Sequence, residues 1–139
     1  MQYRNQEGYA DPTCFFTLSA IEQTHARPFR PLVYVCSPYA GDVEGNVAAV
    51  RCYCRFAVDA GCIPLAPHLL FPQFLDDTNP EERALGLFFS NVFMGKCMEA
   101  WVFGGRISQG MEAEITRARR KGQKIRYFTE EPKEVLKHV

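Results

Sequence analysis

Short, mostly apolar runs alternate with helical periodicities along this chain from Leu32 onward. The runs LVYVCS, CIPLA, EAWVFG and KIRYF are rich in β-branched and aromatic residues, as is typical of buried strands. Strands that alternate with helices through short loops predict an α/β fold of the Rossmann or flavodoxin type. We expect a parallel sheet of about four strands, in the order 2-1-3-4, with helices on both faces.

The three helical patterns span about 43–60, 80–97 and 111–121. Asn79 is a typical N-cap for the second helix, with Pro80 at its first position. Spacing of three and four residues predicts the apolar face of that helix. The residues expected on this face are Leu85, Phe88, Phe89 and Val92.

The two ends of the chain depart from this pattern. Residues 1–30 predict an N-terminal helical extension, with a helix at about 12–24 that Asp11 caps. Residues 31–139 are expected to form the main domain. The closing stretch PKEVLKHV predicts a short terminal helix.

Composition and charge narrow the classes of function. The chain has 139 residues, enough for one domain with a core. Its 16 basic residues balance 16 acidic ones, which argues against a nucleic-acid partner bound through a large cationic surface.

The longest uncharged run, 62–75, is interrupted by prolines and does not predict a membrane span. Because the opening MQYRNQEGYADPT contains no apolar signal segment, we expect a cytoplasmic protein.

The six cysteines include no C-x-x-C pair. Cys52 and Cys54 lie about 200° apart on a helix, a poor geometry for binding one metal. Reduced and mostly buried thiols are therefore expected.

The turn CSPYAGDVEGN after the first strand is neither a Walker A loop nor a G-x-G-x-x-G turn. We expect no metal and no cofactor.

Ligands of open parallel sheets bind at the carboxyl ends of the strands, where the strand order reverses. This rule selects the segments 37–46, 67–78 and 104–114. In the first segment, the Ser37 hydroxyl and two glycines suit a phosphate or a hydroxyl-rich ligand. An ordinary strand-to-helix turn capped by Asp42 fits the same spacing.

The second segment contains His68 among apolar neighbours and the pair Asp76 and Asp77. His68 is either a ligand contact or a loop histidine satisfied by the backbone. The pair of aspartates is more typical of solvated side chains than of catalytic ones. The substrate-binding candidates of this segment are His68 and Asp76. Phe71 and Phe74 either stack on a base or close the core, and packing is the commoner role.

The third segment, ISQGMEAEITRA, places Glu114 one turn into a helix and four residues after Gly110. A helix N-terminus favours an ionised carboxylate by about 0.3–1 kcal/mol. Glu114 is therefore either a charge at the end of a helix or a nucleophile. Glu112 lies about 200° away around the helix and is expected to be solvated.

The α/β pattern, together with YVCSPYAG and SQGMEAEITRA, resembles the nucleoside 2-deoxyribosyltransferase superfamily, which includes the 2'-deoxynucleoside 5'-phosphate N-hydrolases. The resemblance covers about 32–128 and is closest to a phage and bacterial branch described only as a domain of unknown function. It implies that Glu114 attacks the anomeric carbon of a deoxyribosyl group and releases the base. It also implies substrate-binding roles for Ser37, Pro38, Tyr39, Gly41, Ser108 and Gly110.

The resemblance also bears on proton transfer. The superfamily commonly has an aspartate that helps to protonate the leaving base, eight residues before the acidic residue that opens the third strand. Counting back from Glu99 gives Asn91, which can hydrogen-bond a base but cannot supply a proton. Asp76 or Asp77 is the alternative donor. Ser108 stands where the hydrolases have serine and the transferases aspartate.

The predicted function is an N-glycosidase or deoxyribosyltransferase acting on a (deoxy)nucleoside or its 5'-phosphate. The alternative is a catalytically weak or inactive protein, of phage or bacterial origin, that binds a nucleotide or a nucleotide signal. Either way the expected partner is a small-molecule nucleoside or nucleotide. The superfamily usually forms dimers or larger assemblies, and we expect a homodimer or higher homo-oligomer through the helix at about 80–97. That helix carries apolar residues around its circumference: Leu87, Phe88, Phe89, Phe93 and Met94.

Overall fold

The computed structural model describes residues 29–135. In chain order, the strands and helices are β1 (Leu32–Cys36), α1 (Val43–Asp59), β2 (Ile63–Leu65), α2 (Pro80–Lys96), β3 (Glu99–Phe103), α3 (Gln109–Arg120), β4 (Lys124–Phe128) and β5 (Glu134–Val135). Two short 3-10 turns, at Pro67–Leu69 and Phe71–Gln73, lie between β2 and α2. The predicted N-terminal extension, 1–30, and its helix at about 12–24 lie outside the described residues, apart from positions 29 and 30.

The sheet confirms the predicted α/β fold and strand order. Its five strands follow the order β2-β1-β3-β4-β5, and β1 to β4 are parallel. Tyr34 of β1 is paired with Ala100 of β3, which sets the register at the centre of the sheet. Parallel neighbours bring the carboxyl ends of β1 and β3 to one edge, where the strand order reverses. None of the helices in this part of the chain is long and apolar enough to span a membrane.

The predicted terminal helix is wrong where the structure describes it. Glu134 and Val135 form β5, antiparallel to β4. Arg126 of β4 donates a pair of hydrogen bonds to the Glu134 carboxylate, one of them 2.7 Å long. Pairing with the open edge of β4 therefore outweighs the helical preference of this segment. The remaining residues, 136–139, lie outside the described part.

Alternation along the strands divides the core into two layers. One layer packs β1 and β3 against α1 and includes Val33, Val35, Trp101 and Phe103. The other packs the opposite side chains of the same strands against α2 and α3. This second layer contains Tyr34, Cys36, Ala100 and Val102 from the strands, with Met94, Met111, Ile115 and Ala118 from the helices. The helices thus cover both faces of the sheet, as predicted.

The predicted apolar face of α2 is largely wrong. Leu85, Phe88 and Val92 are 46%, 62% and 45% exposed. Met94 is the buried residue of this helix, and Gly86 and Ser90 lie on the face that lines a cavity. Because small and polar residues occupy the inward positions beside the cavity, the apolar pattern of α2 marks its outer surface instead. The N-cap prediction is confirmed, since the Asn79 side chain accepts from the backbone of Glu81 and Glu82.

Candidate functional site

A cavity of about 550 Å³ opens at the carboxyl edge of the sheet, between α2, α3 and the loops after β1 and β2. All three segments selected from the sequence contribute to its lining. The predicted site residues that it brings together are Ser37, Tyr39, His68, Ser108, Gly110 and Glu114. Loops that are far apart in the chain thus meet because parallel strands end at the same edge.

Four predicted site residues are not among the residues that line this cavity. Pro38 lines a separate cavity beside α1, and Gly41 adopts a φ of 95° in the turn. Asp76 accepts hydrogen bonds from the Thr78 backbone and hydroxyl, at 2.9 and 2.6 Å, so it closes its own loop. Asn91 is half-buried in α2, and within residues 29–135 its Oδ1 has no hydrogen-bond partner.

The carboxylate of Glu114 is the buried acidic group of the cavity, and this residue is 8% exposed. The Tyr34 hydroxyl donates a hydrogen bond to Glu114 Oε2. The Cys36 thiol donates to Oε1 over 3.6 Å. Tyr34 and Cys36 are two residues apart on β1 and therefore point to the same face of the sheet. The strand holds the carboxylate from below, while α3 presents it to the cavity.

Burial raises the pKa of Glu114 above the ordinary value of 4.5. Hydrogen bonds from Tyr34 and Cys36 and the positive charge of Arg117 oppose this increase. The helix N-terminus was expected to stabilise the ionised carboxylate of Glu114, but desolvation of this charge has the larger effect on the pKa. Tyr34 has its own pKa raised, first by burial and then by the Glu114 charge, so its hydroxyl remains a proton donor in the hydrogen bond. Glu112 is exposed, as predicted.

The first loop presents a buried hydroxyl to the cavity. Ser37 is 1% exposed, and its Oγ has no hydrogen-bond partner among the described residues. The Tyr39 ring stacks on His68, with centroids 4.8 Å apart and planes 23° apart. Asn46 of α1 donates to the Tyr39 carbonyl over 2.9 Å and fixes the loop from the other side. The Ser37 hydroxyl is thus a buried polar group that the described residues leave unsatisfied.

His68 lies in the cavity wall against Tyr39 of the first loop, and its role as a ligand contact stays a prediction. The backbone of Ser37 is near enough to the His68 ring to affect the pKa of the imidazole. Burial lowers the pKa of His68, and the Ser37 backbone and the Asp77 charge only partly offset that effect. A neutral imidazole has one donor and one acceptor nitrogen. His68 therefore joins the first loop to the second without adding a positive charge to the cavity.

The N-terminus of α3 begins two residues earlier than predicted. Ser108 is its N-cap, and its Oγ accepts a hydrogen bond of 3.2 Å from the Met111 backbone. The hydroxyl predicted to bind substrate is thus already used to cap the helix. Gly110 follows within the first turn and leaves the cavity wall open beside Glu114.

The sequence did not identify several residues in the cavity wall or in contact with it. Tyr34 lies within an apolar strand, where an aromatic ring is normally core, and only its hydroxyl could have pointed to a polar role. Arg117 lies in the basic run TRARR, which resembles an exposed helix end. Arg83 and Ser90 line the cavity from α2. Their inward placement follows from the orientation of α2, which its apolar pattern obscured.

The cavity side chains do not form a metal-binding cluster. Within residues 29–135, no group of three or more histidine, cysteine, aspartate and glutamate side chains is placed to hold a metal ion. Among the residues that the structure describes, Cys36, Cys52, Cys54 and Cys97 have free thiols. The polar side chains that line the cavity carry carboxyl, hydroxyl, carboxamide, imidazole and guanidinium groups.

Residues 31–128 match the family described as "Domain of unknown function (DUF7768)". The matched span includes β1 to β4, α1 to α3 and all of the cavity lining. No curated protein matches the chain. The family description states no activity, so the geometry of the cavity carries the functional argument.

Proposed function

We propose that this chain, which belongs to the DUF7768 family, catalyses cleavage or transfer at the N-glycosidic bond of a deoxynucleoside or deoxynucleotide. The observation that carries the proposal is the Glu114 carboxylate, buried and hydrogen-bonded to Tyr34 at the wall of the cavity. A cavity of about 550 Å³ lies within the size range of small-molecule sites. The resemblance of SQGMEAEITRA to the deoxyribosyltransferase superfamily supports the same assignment.

In the proposed reaction, Glu114 Oε1 forms a bond to the anomeric carbon of the sugar. The bond from that carbon to the base nitrogen breaks, and its electron pair leaves with the base. The carboxylate stabilises the oxocarbenium-like transition state, while Tyr34 continues to hold Oε2. Water or a second base then displaces Glu114 from the sugar, so the same intermediate serves a hydrolase or a transferase.

The leaving base requires a proton, and Asp77 is the proposed donor. Asp77 and Glu82 are the other described carboxyl groups that line the cavity. Glu82 Oε1 already accepts a hydrogen bond of 3.1 Å from the Asp76 backbone. Asn91 is not among the lining residues, so an acid introduced there by Asn91→Asp is expected to leave base release unchanged.

The proposal is tested by incubating the protein with the common 2'-deoxynucleosides and their 5'-monophosphates and measuring free base by chromatography. Glu114→Ala is expected to abolish base release and to change ligand affinity by less than about tenfold, because a nucleophile acts mainly in the transition state. Absence of base release by the wild-type protein across this panel would contradict the N-glycosidase assignment.

A second candidate function is binding without turnover. The observation that favours it is the raised pKa of Glu114, which results from burial. A protonated carboxyl group donates a hydrogen bond to a ligand and does not attack it. Saturable binding of a nucleotide, with no base release at pH values well above the ordinary glutamate range, is the result expected for this alternative.

We also propose that two copies of the chain associate through the outer surface of α2. Leu85, Phe88 and Val92 form an exposed apolar stripe on this helix. Phe88→Glu is expected to shift the protein toward monomer in light scattering. Val43→Glu, at a 40% exposed position that begins α1, is the matched control and should leave the assembly unchanged. A wild-type protein that is monomeric at micromolar concentration would exclude this interface.

The cytoplasmic location expected from the sequence remains a prediction. The free thiols among the described residues are consistent with a reducing compartment.

A further inference from the structure

A second cavity, also of about 550 Å³, lies at the carboxyl edge of the sheet on the α1 side. Its walls come from the start of α1, the loop after β3 and the segment after β4. Pro38 belongs to its lining, whereas the adjoining Ser37 and Tyr39 line the cavity that contains Glu114. Neighbouring residues of the first loop thus contribute to two cavities, and the proposed reaction uses only one of them.

Small residues leave room for this second cavity. Gly45 and Ala49 line it from α1, and Gly104 lines it from the loop after β3. A Cβ at Gly45 would lie 2.3 Å from the carboxylate of Asp42, which accepts a hydrogen bond of 3.1 Å from the Gly45 backbone. Gly104 has a φ of 98°, in the left-handed region that favours glycine. The glycines thus allow backbone positions that larger residues would disturb.

The Tyr53 hydroxyl is a polar group at this cavity that the protein leaves unused. The residue is 5% exposed, and its ring stacks on Phe103 with centroids 4.4 Å apart. Within residues 29–135 the hydroxyl has no hydrogen-bond partner and keeps contact with solvent at the cavity. Burial and the charge of Glu130 raise the pKa of Tyr53, so the hydroxyl stays protonated. A packed ring therefore holds a group that can both donate and accept.

Two charges of opposite sign line the same cavity without pairing. Arg106 follows β3, and Glu130 follows β4. Among the residues that the structure describes, neither side chain forms an ion pair or a hydrogen bond. The Glu130 carboxylate is near enough to the Tyr53 hydroxyl to affect its pKa. The cavity thus presents an anion and a cation that the described residues do not neutralise.

Asn46 adds an acceptor to this lining. Its Nδ2 donates to the carbonyls of Tyr39 and Ala40, over 2.9 and 3.1 Å, which uses both N–H bonds of the carboxamide. The oxygen of the carboxamide is the atom that remains for a ligand. The cavity therefore offers acceptors to a cationic donor, from Asn46 and Glu130, and a guanidinium to an anionic group.

We propose that this second cavity binds a small zwitterion of the α-amino acid type, with its ammonium group at Glu130 and the Tyr53 hydroxyl and its carboxylate at Arg106. An ammonium group has three donors and matches several acceptors at once. The planar fork of a guanidinium matches the two oxygens of a carboxylate. A ligand with a single charge would leave one of the two protein charges unpaired. The inference goes beyond the proposed function and does not depend on it.

The test screens the standard L-amino acids against the full chain by saturation-transfer NMR at millimolar concentration, and calorimetry measures the affinity of those that bind. Each binder is compared with the amine that lacks its carboxylate and with the acid that lacks its amino group. Both analogues are expected to bind at least about fivefold more weakly, as the loss of a charged hydrogen bond implies.

Variants then place the amino acid in this cavity. Glu130→Gln and Arg106→Met should each weaken its binding by at least about fivefold. Tyr53→Phe keeps the ring that packs on Phe103 and should weaken binding by a smaller factor. Glu131→Gln and Arg120→Met remove the same charges from exposed positions that do not line the cavity, and both should leave the affinity unchanged.

Failure of every amino acid to bind at millimolar concentration would overturn the inference. An analogue that binds as tightly as its parent amino acid would do so as well, because a zwitterion would then have no advantage. Affinity that survives both Glu130→Gln and Arg106→Met would place the ligand elsewhere. Glu114→Gln should leave amino-acid binding unchanged, and its loss in that variant would move the ligand to the first cavity. Absence of base release contradicts the proposed function alone and leaves this second site standing.

Discussion

The two faces of the sheet are built from the same strands but packed in different ways. On the α1 face, aromatic rings stack closely: Phe103 lies 4.4 Å from Tyr53 and 5.0 Å from Phe128 between ring centroids. On the α2 and α3 face, the strands place Tyr34 and Cys36 against the carboxylate of Glu114. One face is thus an apolar layer, whereas the other contains a buried acid next to a cavity.

Close packing and the proposed chemistry thus lie on opposite sides of one sheet. Close aromatic packing stabilises a fold by burying area and by favourable ring geometry. A buried carboxyl group costs free energy, which hydrogen bonds offset only in part. We therefore expect the α1 layer to contribute more to the stability of the fold, and substitutions in the two layers to have separable effects.

The largest expected effect is on stability, from Phe103→Ala. The ring is fully buried among aromatic neighbours, and its loss is expected to lower the free energy of unfolding by about 3–5 kcal/mol. Chemical denaturation measures the change. Met98→Ala, at a 56% exposed position before β3, is the control and should cost less than about 1 kcal/mol. Similar losses for the two variants would show that the α1 layer is not the main support of the fold.

The next effect concerns the cavity side. Asp77→Asn is expected to lower base release by about 10²-fold or more, because it removes the proposed proton donor. Asp76→Asn is the matched control, since the Asp76 carboxylate is held by Thr78 in its own loop. Steady-state rates with a deoxynucleotide decide between them. A larger loss of base release from Asp76→Asn than from Asp77→Asn would identify Asp76 as the proton donor.

The sequence predicted the sheet more fully than the site. β-branched and aromatic runs define strands locally, and parallel topology then brings Ser37, His68 and Glu114 to one edge. The inward face of α2 could not be predicted in the same way, because Gly86 and Ser90 line the cavity while Leu85 and Phe88 are exposed. The contact between Tyr34 and Glu114 depends on strand register and helix orientation, which no local pattern encodes.

A smaller effect is expected from Tyr34→Phe, which removes the hydroxyl that donates to Glu114. That hydrogen bond lowers the pKa of Glu114, so its loss should raise the pKa further. If the carboxylate is the nucleophile, the acid limb of the pH–rate profile for kcat/KM should move to higher pH, with a decrease of kcat/KM along that limb. Tyr39→Phe is the control, because the Tyr39 ring contacts His68 rather than the carboxylate. If the acid limb does not move in Tyr34→Phe, that limb does not report the ionisation of Glu114.

The smallest effect, a gain of stability, follows from the cost of burying Glu114. The pKa of this group is raised in the folded protein, so the folded state binds its proton more tightly than the unfolded chain does. Below the ordinary value of 4.5 both states are protonated and no penalty exists. As pH rises through the raised pKa, the folded protein must hold a buried charge and loses stability relative to a neutral variant.

Glu114→Gln keeps an acceptor for the Tyr34 hydroxyl and removes the charge. The variant is expected to be more stable than the wild-type protein at pH 7.5 by on the order of 1 kcal/mol, and equal to it near pH 4. Melting curves at both pH values measure the difference. Glu112→Gln, on the exposed side of the same helix, should show no such dependence on pH. A gap of equal size at both pH values would mean that packing, and not the buried charge, sets the cost of Glu114. In that case the two faces of the sheet would differ in shape alone.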